Sequence, residues 1–191
     1  MIMNKQLLVV ILFVITMLEG CSNFSIKRQL QEIIGTEVIF PSTLEPITRN
    51  SVMQNHEMKP IKLLLYNKSE NCLSCAIAKL GQRLEIQGLL HEKSMFEFSI
   101  IHAFSSRQYD VEKKQVENLK CNWNIYLDSD YSFLNANPKI LENEIYHIML
   151  LDRYNRIVLV GNPMANASMW NLFKSTLENM LTHDGEYVPE N

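Results

Sequence analysis

Between Ile61 and Leu90 the chain sets out a compact run, IKLLLY, then a polar turn, NKSEN, then Cys72-Leu73-Ser74-Cys75 at the head of a segment with apolar residues at 73, 76, 77, 80 and 84. A short apolar run suits a buried strand, and the spacing after it is that of one face of a helix. The order strand, turn, dithiol, helix therefore places both cysteines in the first turn of a helix that leaves a core strand. Downstream, Met95 to Phe104 reads as a second strand, Val111 to Leu119 as a polar connecting helix and Trp123 to Leu127 as a third strand. Strands separated by helices imply crossover connections and a parallel core.

The last third has another pattern. Ile145 to Leu151 and Arg156 to Val160 are apolar runs joined by Asp152, Arg153, Tyr154 and Asn155, a tight polar link that makes an antiparallel hairpin. A closing helix, Ala167 to Leu181, sets Trp170, Phe173, Leu177 and Leu181 along one side. The whole order predicts an α/β, thioredoxin-like fold, a central mixed sheet flanked by helices, over residues 61–183, with 184–191 as a C-terminal tail.

Residues 1–20 read as a lipoprotein signal peptide. LLVVILFVITML, Leu7 to Leu18, carries no charge. Twelve helical residues span roughly 18 Å against a hydrocarbon core of roughly 30 Å, which favours export and cleavage over a permanent span. The run ends at Leu18-Glu19-Gly20-Cys21, which resembles a lipobox and makes Cys21 the lipid-bearing residue. Residues 21–60 are then expected to be a tether with an N-terminal helix and strand extension: Ser25 to Ile34 has helical spacing with Gly35 as its stop, Glu37 to Phe40 reads as a short strand, and 41–60 is polar with three prolines. The folded part is expected in the bacterial cell envelope, extracytoplasmic and most simply periplasmic.

Composition narrows the remaining classes. Apolar residues make up 47% and charged ones 20%, the balance of a globular protein. A net charge of -3 with no dense Lys/Arg stripe gives no footprint for nucleic acid. Four cysteines in 191 residues neither build a disulfide scaffold nor form paired zinc-binding CxxC motifs. No cofactor is expected. At a helix start, the free N–H groups and the positive end of the helix dipole favour a thiolate at Cys72, below the ordinary thiol value of about 8.5. The i, i+3 spacing lets Cys75 close a ring with it, so the pair is suited to thiol–disulfide exchange, with Cys72 attacking and Cys75 resolving. A structural disulfide in a binding or scaffold domain, and a soft copper or zinc site made of Cys72, Cys75 and His147, are the alternatives the residues leave open.

With IKLLLY, CLSC and HIMLLDRYNRIVLVGNP in place, the segment Ile61 to Leu181 resembles the membrane-tethered thioredoxin-like proteins of the TlpA and ResA type, and in particular divergent thioredoxin-like lipoproteins of Gram-negative envelopes. The resemblance implies a thiol-disulfide oxidoreductase with Cys72 as nucleophile and Cys75 as resolving cysteine. It also implies partners among envelope protein thiols and disulfides, together with a redox partner that recycles the dithiol. Two positions depart from the family pattern. Asn71 stands where an aromatic residue precedes the first cysteine, and Tyr146 stands where a cis proline precedes the hairpin strand, so a trans bond and a differently shaped site are expected there. His91, His102 and Cys121 have no partner visible in the sequence. Asp128, Asp130 and Asn135 begin like a calcium loop but lack its turn glycine and closing glutamate.

Overall fold

The computed structural model describes residues 27–47, 58–81, 95–119 and 123–189. The leader, Cys21, His91 and Cys121 lie outside the described residues, as does the later part of the segment expected to continue the helix to Leu90. No described helix is long and apolar enough to cross a membrane. Two compact units are present, residues 1–34 and residues 35–191. In the first, 27–33 form helix α1, with Arg28 and Glu32 paired one turn apart at 3.2 Å. Gly35, at φ 82°, adopts the left-handed backbone that ends such a helix cheaply.

The second unit is built on a six-stranded sheet in the order β1-β4-β3-β2-β5-β6. Its strands are β1 (Glu45–Ile47), β2 (Ile61–Lys68), β3 (Phe96–Phe104), β4 (Asn124–Ser129), β5 (Ile148–Leu151) and β6 (Ile157–Val160). β2, β3 and β4 run parallel, while β1 on one side and β5 and β6 on the other pair antiparallel, giving the mixed sheet expected. The helices are α2 (Leu73–Gly81), α3 (Tyr109–Asn118), the short α4 (Ser132–Ala136) and α5 (Pro138–Leu141), and α6 (Ala167–Thr182).

Alternation along the strands decides which face meets which helix. Ile61, Leu63 and Leu65 of β2 join Phe96, Phe98 and Ile100 of β3 and Ile125 and Leu127 of β4. These share one buried cluster with Leu73 and Leu80 of α2, Val116 of α3, and Trp170, Phe173, Leu177 and Met180 of α6. On the other face Tyr66 stacks on Phe133 of α4 at 5.8 Å between ring centroids, and Phe40 lies 5.6 Å from the same Phe133 ring. Both faces of β2 and β3 are covered, which is why their sequences read as nearly continuous apolar runs.

Three local expectations change. The strand expected at Glu37 to Phe40 shrinks to a single bridge between Glu37 and Arg156, because the side-chain amide of Asn137 takes over the backbone of Ile39, accepting from its N–H at 2.9 Å and donating to its carbonyl at 2.8 Å. Within the polar 41–60 segment, Glu45–Ile47 forms β1; its Pro46 is tolerated because β1 is an edge strand. The hairpin strand starts at Ile148, since Glu144–His147 coil into a 3-10 turn in which Asn143 accepts from Ile145 N–H through Oδ1 and from Tyr146 N–H through its carbonyl. The 152–156 link is held by the Asp152 carboxylate, which accepts from the N–H groups of Tyr154 and Arg156 at 2.9 Å each and from Arg156 Nε at 2.6 Å.

Candidate dithiol site

Strand β2 ends at Lys68 and a tight turn follows, with Asn71 N–H donating to the Lys68 carbonyl at 2.9 Å and Ser69 N–H reaching the Ala103 carbonyl of β3 at 2.8 Å. The turn delivers Cys72 to the start of α2, where its carbonyl accepts the first helical bond, from Ala76 N–H at 3.0 Å. Cys72 and Cys75 form a disulfide with their Cα atoms 5.2 Å apart. Both cysteines are exposed, while Leu73 between them is buried in the core and anchors the motif. The Cys75 N–H donates to Cys72 Sγ at 3.2 Å, and the Ser74 hydroxyl lies 3.4 Å from that sulfur. Once the bond is reduced, the same donors face a developing thiolate and stabilise it.

Antiparallel pairing of β5 with β2, Ile148 opposite Leu65, brings the 3-10 turn Glu144–His147 to the end of the sheet from which the Lys68–Cys72 turn leaves. Tyr146 is buried there, and no described peptide bond is cis. His147 is buried as well. Its ring meets Tyr66 edge-on at 5.2 Å and its Nε2 lies 3.4 Å from the Leu141 carbonyl. Burial holds its pKa below the ordinary histidine value, with Lys68 adding to the effect and the Leu141 carbonyl and Glu144 opposing it. Among the described residues no group of three or more His, Cys, Asp or Glu is arranged to hold a metal ion. Cys72, Cys75 and His147 are not grouped as a metal site here, the two sulfurs being joined in a disulfide and the His147 ring packed against Tyr66.

Tyr66 lies on the same face as His147. Its hydroxyl is buried without a hydrogen-bond partner among the described residues, and burial, followed by Asp128, Tyr131 and Glu70, pushes its pKa well above the usual phenol value.

Asn67, His102 and Glu112 form a polar group that sequence reasoning did not join. His102 Nε2 lies 2.8 Å from Glu112 Oε2 on α3, and its Nδ1 lies 3.2 Å from Asn67 Nδ2 on β2. The signal was present as a histidine inside an otherwise apolar strand, FEFSIIHAF, opposite an asparagine in register. The distance in sequence to Glu112 concealed the partner. The Asp128 carboxylate is fully buried and accepts from Ser132 N–H at 2.8 Å, the Ser132 hydroxyl at 2.5 Å and Phe133 N–H at 3.1 Å, capping α4.

An uncharacterised thioredoxin-like protein from Porphyromonas gingivalis aligns with 80% of this chain and 97% of its own at a TM-score of 0.51 and 15% identity. The C-terminal domain of an uncharacterised protein from Bacteroides fragilis aligns over 74% of this chain and 96% of its own, with a TM-score of 0.48 and 17% identity. A thioredoxin-like protein from Bacteroides caccae aligns over 82% of this chain and 55% of its own, with a TM-score of 0.48 and 18% identity. No protein-family model matches the sequence, and no curated protein matches it. The fold is thioredoxin-like, a mixed six-stranded sheet flanked by helices, with a Cys72–Cys75 disulfide at the start of the helix that follows β2.

Proposed function

We propose that this protein carries out thiol–disulfide exchange in the bacterial envelope, tethered to a membrane through a lipid on Cys21 and related in function to the TlpA/ResA-type oxidoreductases. The observation that carries the reading is the exposed Cys72–Cys75 disulfide at a helix start, with the Cys75 N–H directed at Cys72 Sγ at 3.2 Å. Reduced Cys72 attacks one sulfur of a partner disulfide as its thiolate, forming the mixed disulfide and releasing the other partner sulfur as a thiolate, which takes up a proton. Cys75, deprotonated, then attacks Cys72, closing the 72–75 bond and releasing the second partner thiol. The partner gains two electrons and the dithiol loses two. The reverse sequence loads a disulfide into a partner, and the relative reduction potentials set the direction.

In this reading the leader supplies the location, its uncharged Leu7 to Leu18 run ending at Leu18-Glu19-Gly20-Cys21. The test is covalent trapping in cells. Cys75→Ser leaves the attacking thiol without its resolver and accumulates mixed disulfides with envelope proteins, visible on non-reducing gels, whereas Cys72→Ser accumulates few. Equal trapping by both variants, or none by either, overturns exchange with Cys72 as the nucleophile.

A further inference from the structure

We propose that His102 is a positioning residue for the dithiol, acting through Asn67 and the Lys68–Asn71 turn; the proposal rests on the exchange function assigned to Cys72 and Cys75. The geometry is one continuous hydrogen-bonded chain. Glu112 Oε2 meets His102 Nε2 at 2.8 Å, His102 Nδ1 meets Asn67 Nδ2 at 3.2 Å, and the same Asn67 Nδ2 donates to the Lys68 carbonyl at 3.0 Å. That carbonyl also accepts from Asn71 N–H at 2.9 Å, and Cys72 is the next residue.

The chain fixes its own protons. An amide nitrogen only donates, and turning Asn67 over would set its oxygen against the Lys68 carbonyl. His102 Nδ1 is therefore an acceptor, its proton sits on Nε2, and that N–H donates to the Glu112 carboxylate. These contacts assign the ring the Nε2–H tautomer. A second proton on Nδ1 would set N–H against N–H, and relief by rotating the amide would strip the Lys68 carbonyl of a donor. Glu112 from α3 is the titratable group facing the ring; β2 presents Asn67, the cross-strand partner on β4 is Leu127, and the Phe104 ring lies 5.6 Å away.

Burial argues that this polarity is not kept for stability. Asn67, His102 and Glu112 are 4%, 2% and 7% exposed on the sheet face that α3 covers, and apolar residues of similar volume in such places are often as stable or more so. What polar groups add and apolar ones cannot is a fixed orientation, passed from α3 through β3 and β2 to the turn that carries the attacking cysteine.

The experiment follows iodoacetamide alkylation of reduced Cys72 in the full chain across pH, resolved by peptide mass spectrometry, for the wild type, His102→Leu and His102→Gln. Losing the chain slows alkylation at neutral pH by about five- to tenfold in His102→Leu, the equivalent of one net hydrogen bond. Glutamine offers an acceptor oxygen and a donor amide where the Nε2–H ring offers an acceptor and a donor nitrogen, so His102→Gln stays within about twofold of the wild type. Nitrogen-15 spectra of the wild-type ring show the proton on Nε2, a reading that stands even where His102→Leu fails to fold. An unchanged alkylation profile in His102→Leu, equal losses in both variants, or a ring proton on Nδ1 overturns the proposal. Alkylation needs no partner disulfide: His102 dependence without mixed-disulfide trapping defeats the exchange reading alone, and trapping without His102 dependence defeats the positioning role alone.

Discussion

At the scale of single residues, what the dithiol can do is set by atoms that the sequence places only through the fold. Cys72 and Cys75 were legible because their spacing and their position after a buried strand are local facts. His147 was legible as a residue near the site but not in its role, since Tyr66 lies far along the chain and the Leu141 carbonyl belongs to a four-residue helix that no period marks. Its titration makes a prediction. Burial, the largest cause, lowers the folded-state pKa below the ordinary histidine value of 6.5. As pH falls through about 6.5 the unfolded chain takes up this proton while the folded chain does not, so stability declines with acid until the folded pKa is reached. His147→Phe keeps a ring against Tyr66 and removes the ionisation. Urea unfolding from pH 7 to pH 5 is expected to give a shallower loss of stability in the variant than in the wild type. Parallel slopes would mean that His147 takes its proton equally well in both states.

At the scale of elements, long periodic segments were readable and capped short ones were not. The closing helix expected over Ala167 to Leu181 is observed as Ala167–Thr182, started by the Asn166 side chain, which accepts from Met169 N–H. The strands expected at Met95 to Phe104 and Trp123 to Leu127 appear as Phe96–Phe104 and Asn124–Ser129. By contrast α4 has five residues and α5 four, too few for a hydrophobic period to show, and α4 exists because Asp128 holds its first turn from the end of β4. The two residues between β4 and α4, Asp130 and Tyr131, take left-handed backbone at φ 62° and 57°, which no local propensity of theirs demands. Asp128→Ala strips the acceptor from two backbone N–H groups and a hydroxyl at a fully buried position. Lost caps and unsatisfied buried donors together cost about 2–3 kcal/mol. Asp128→Asn, which keeps an accepting oxygen, is expected to lose roughly half of that. Denaturant midpoints with an unchanged m-value measure the difference; a loss no greater for alanine than for asparagine would remove the cap from the account of α4.

For the whole molecule, the two compact units separate the work. Residues 35–191 carry the sheet, the core and the dithiol, while residues 1–34 include α1 and Cys21, the position proposed to carry the lipid. Among the described residues, the core cluster draws all its buried members from Ile61 onward. The position proposed for the anchor and the dithiol lie in different units, and a change at Cys21 tests whether they act independently. Cys21→Ala is expected to abolish incorporation of a labelled fatty acid and to shift the protein out of the lipid-anchored membrane fraction. The rate at which reduced Cys72 is alkylated should stay within about twofold of the wild type, because Cys21 and the dithiol belong to different compact units. Wild-type protein that incorporates no lipid would sink the anchor. A lipid-free variant whose Cys72 reacts several-fold more slowly would show instead that the anchor and the dithiol are coupled, and that the two units do not act separately.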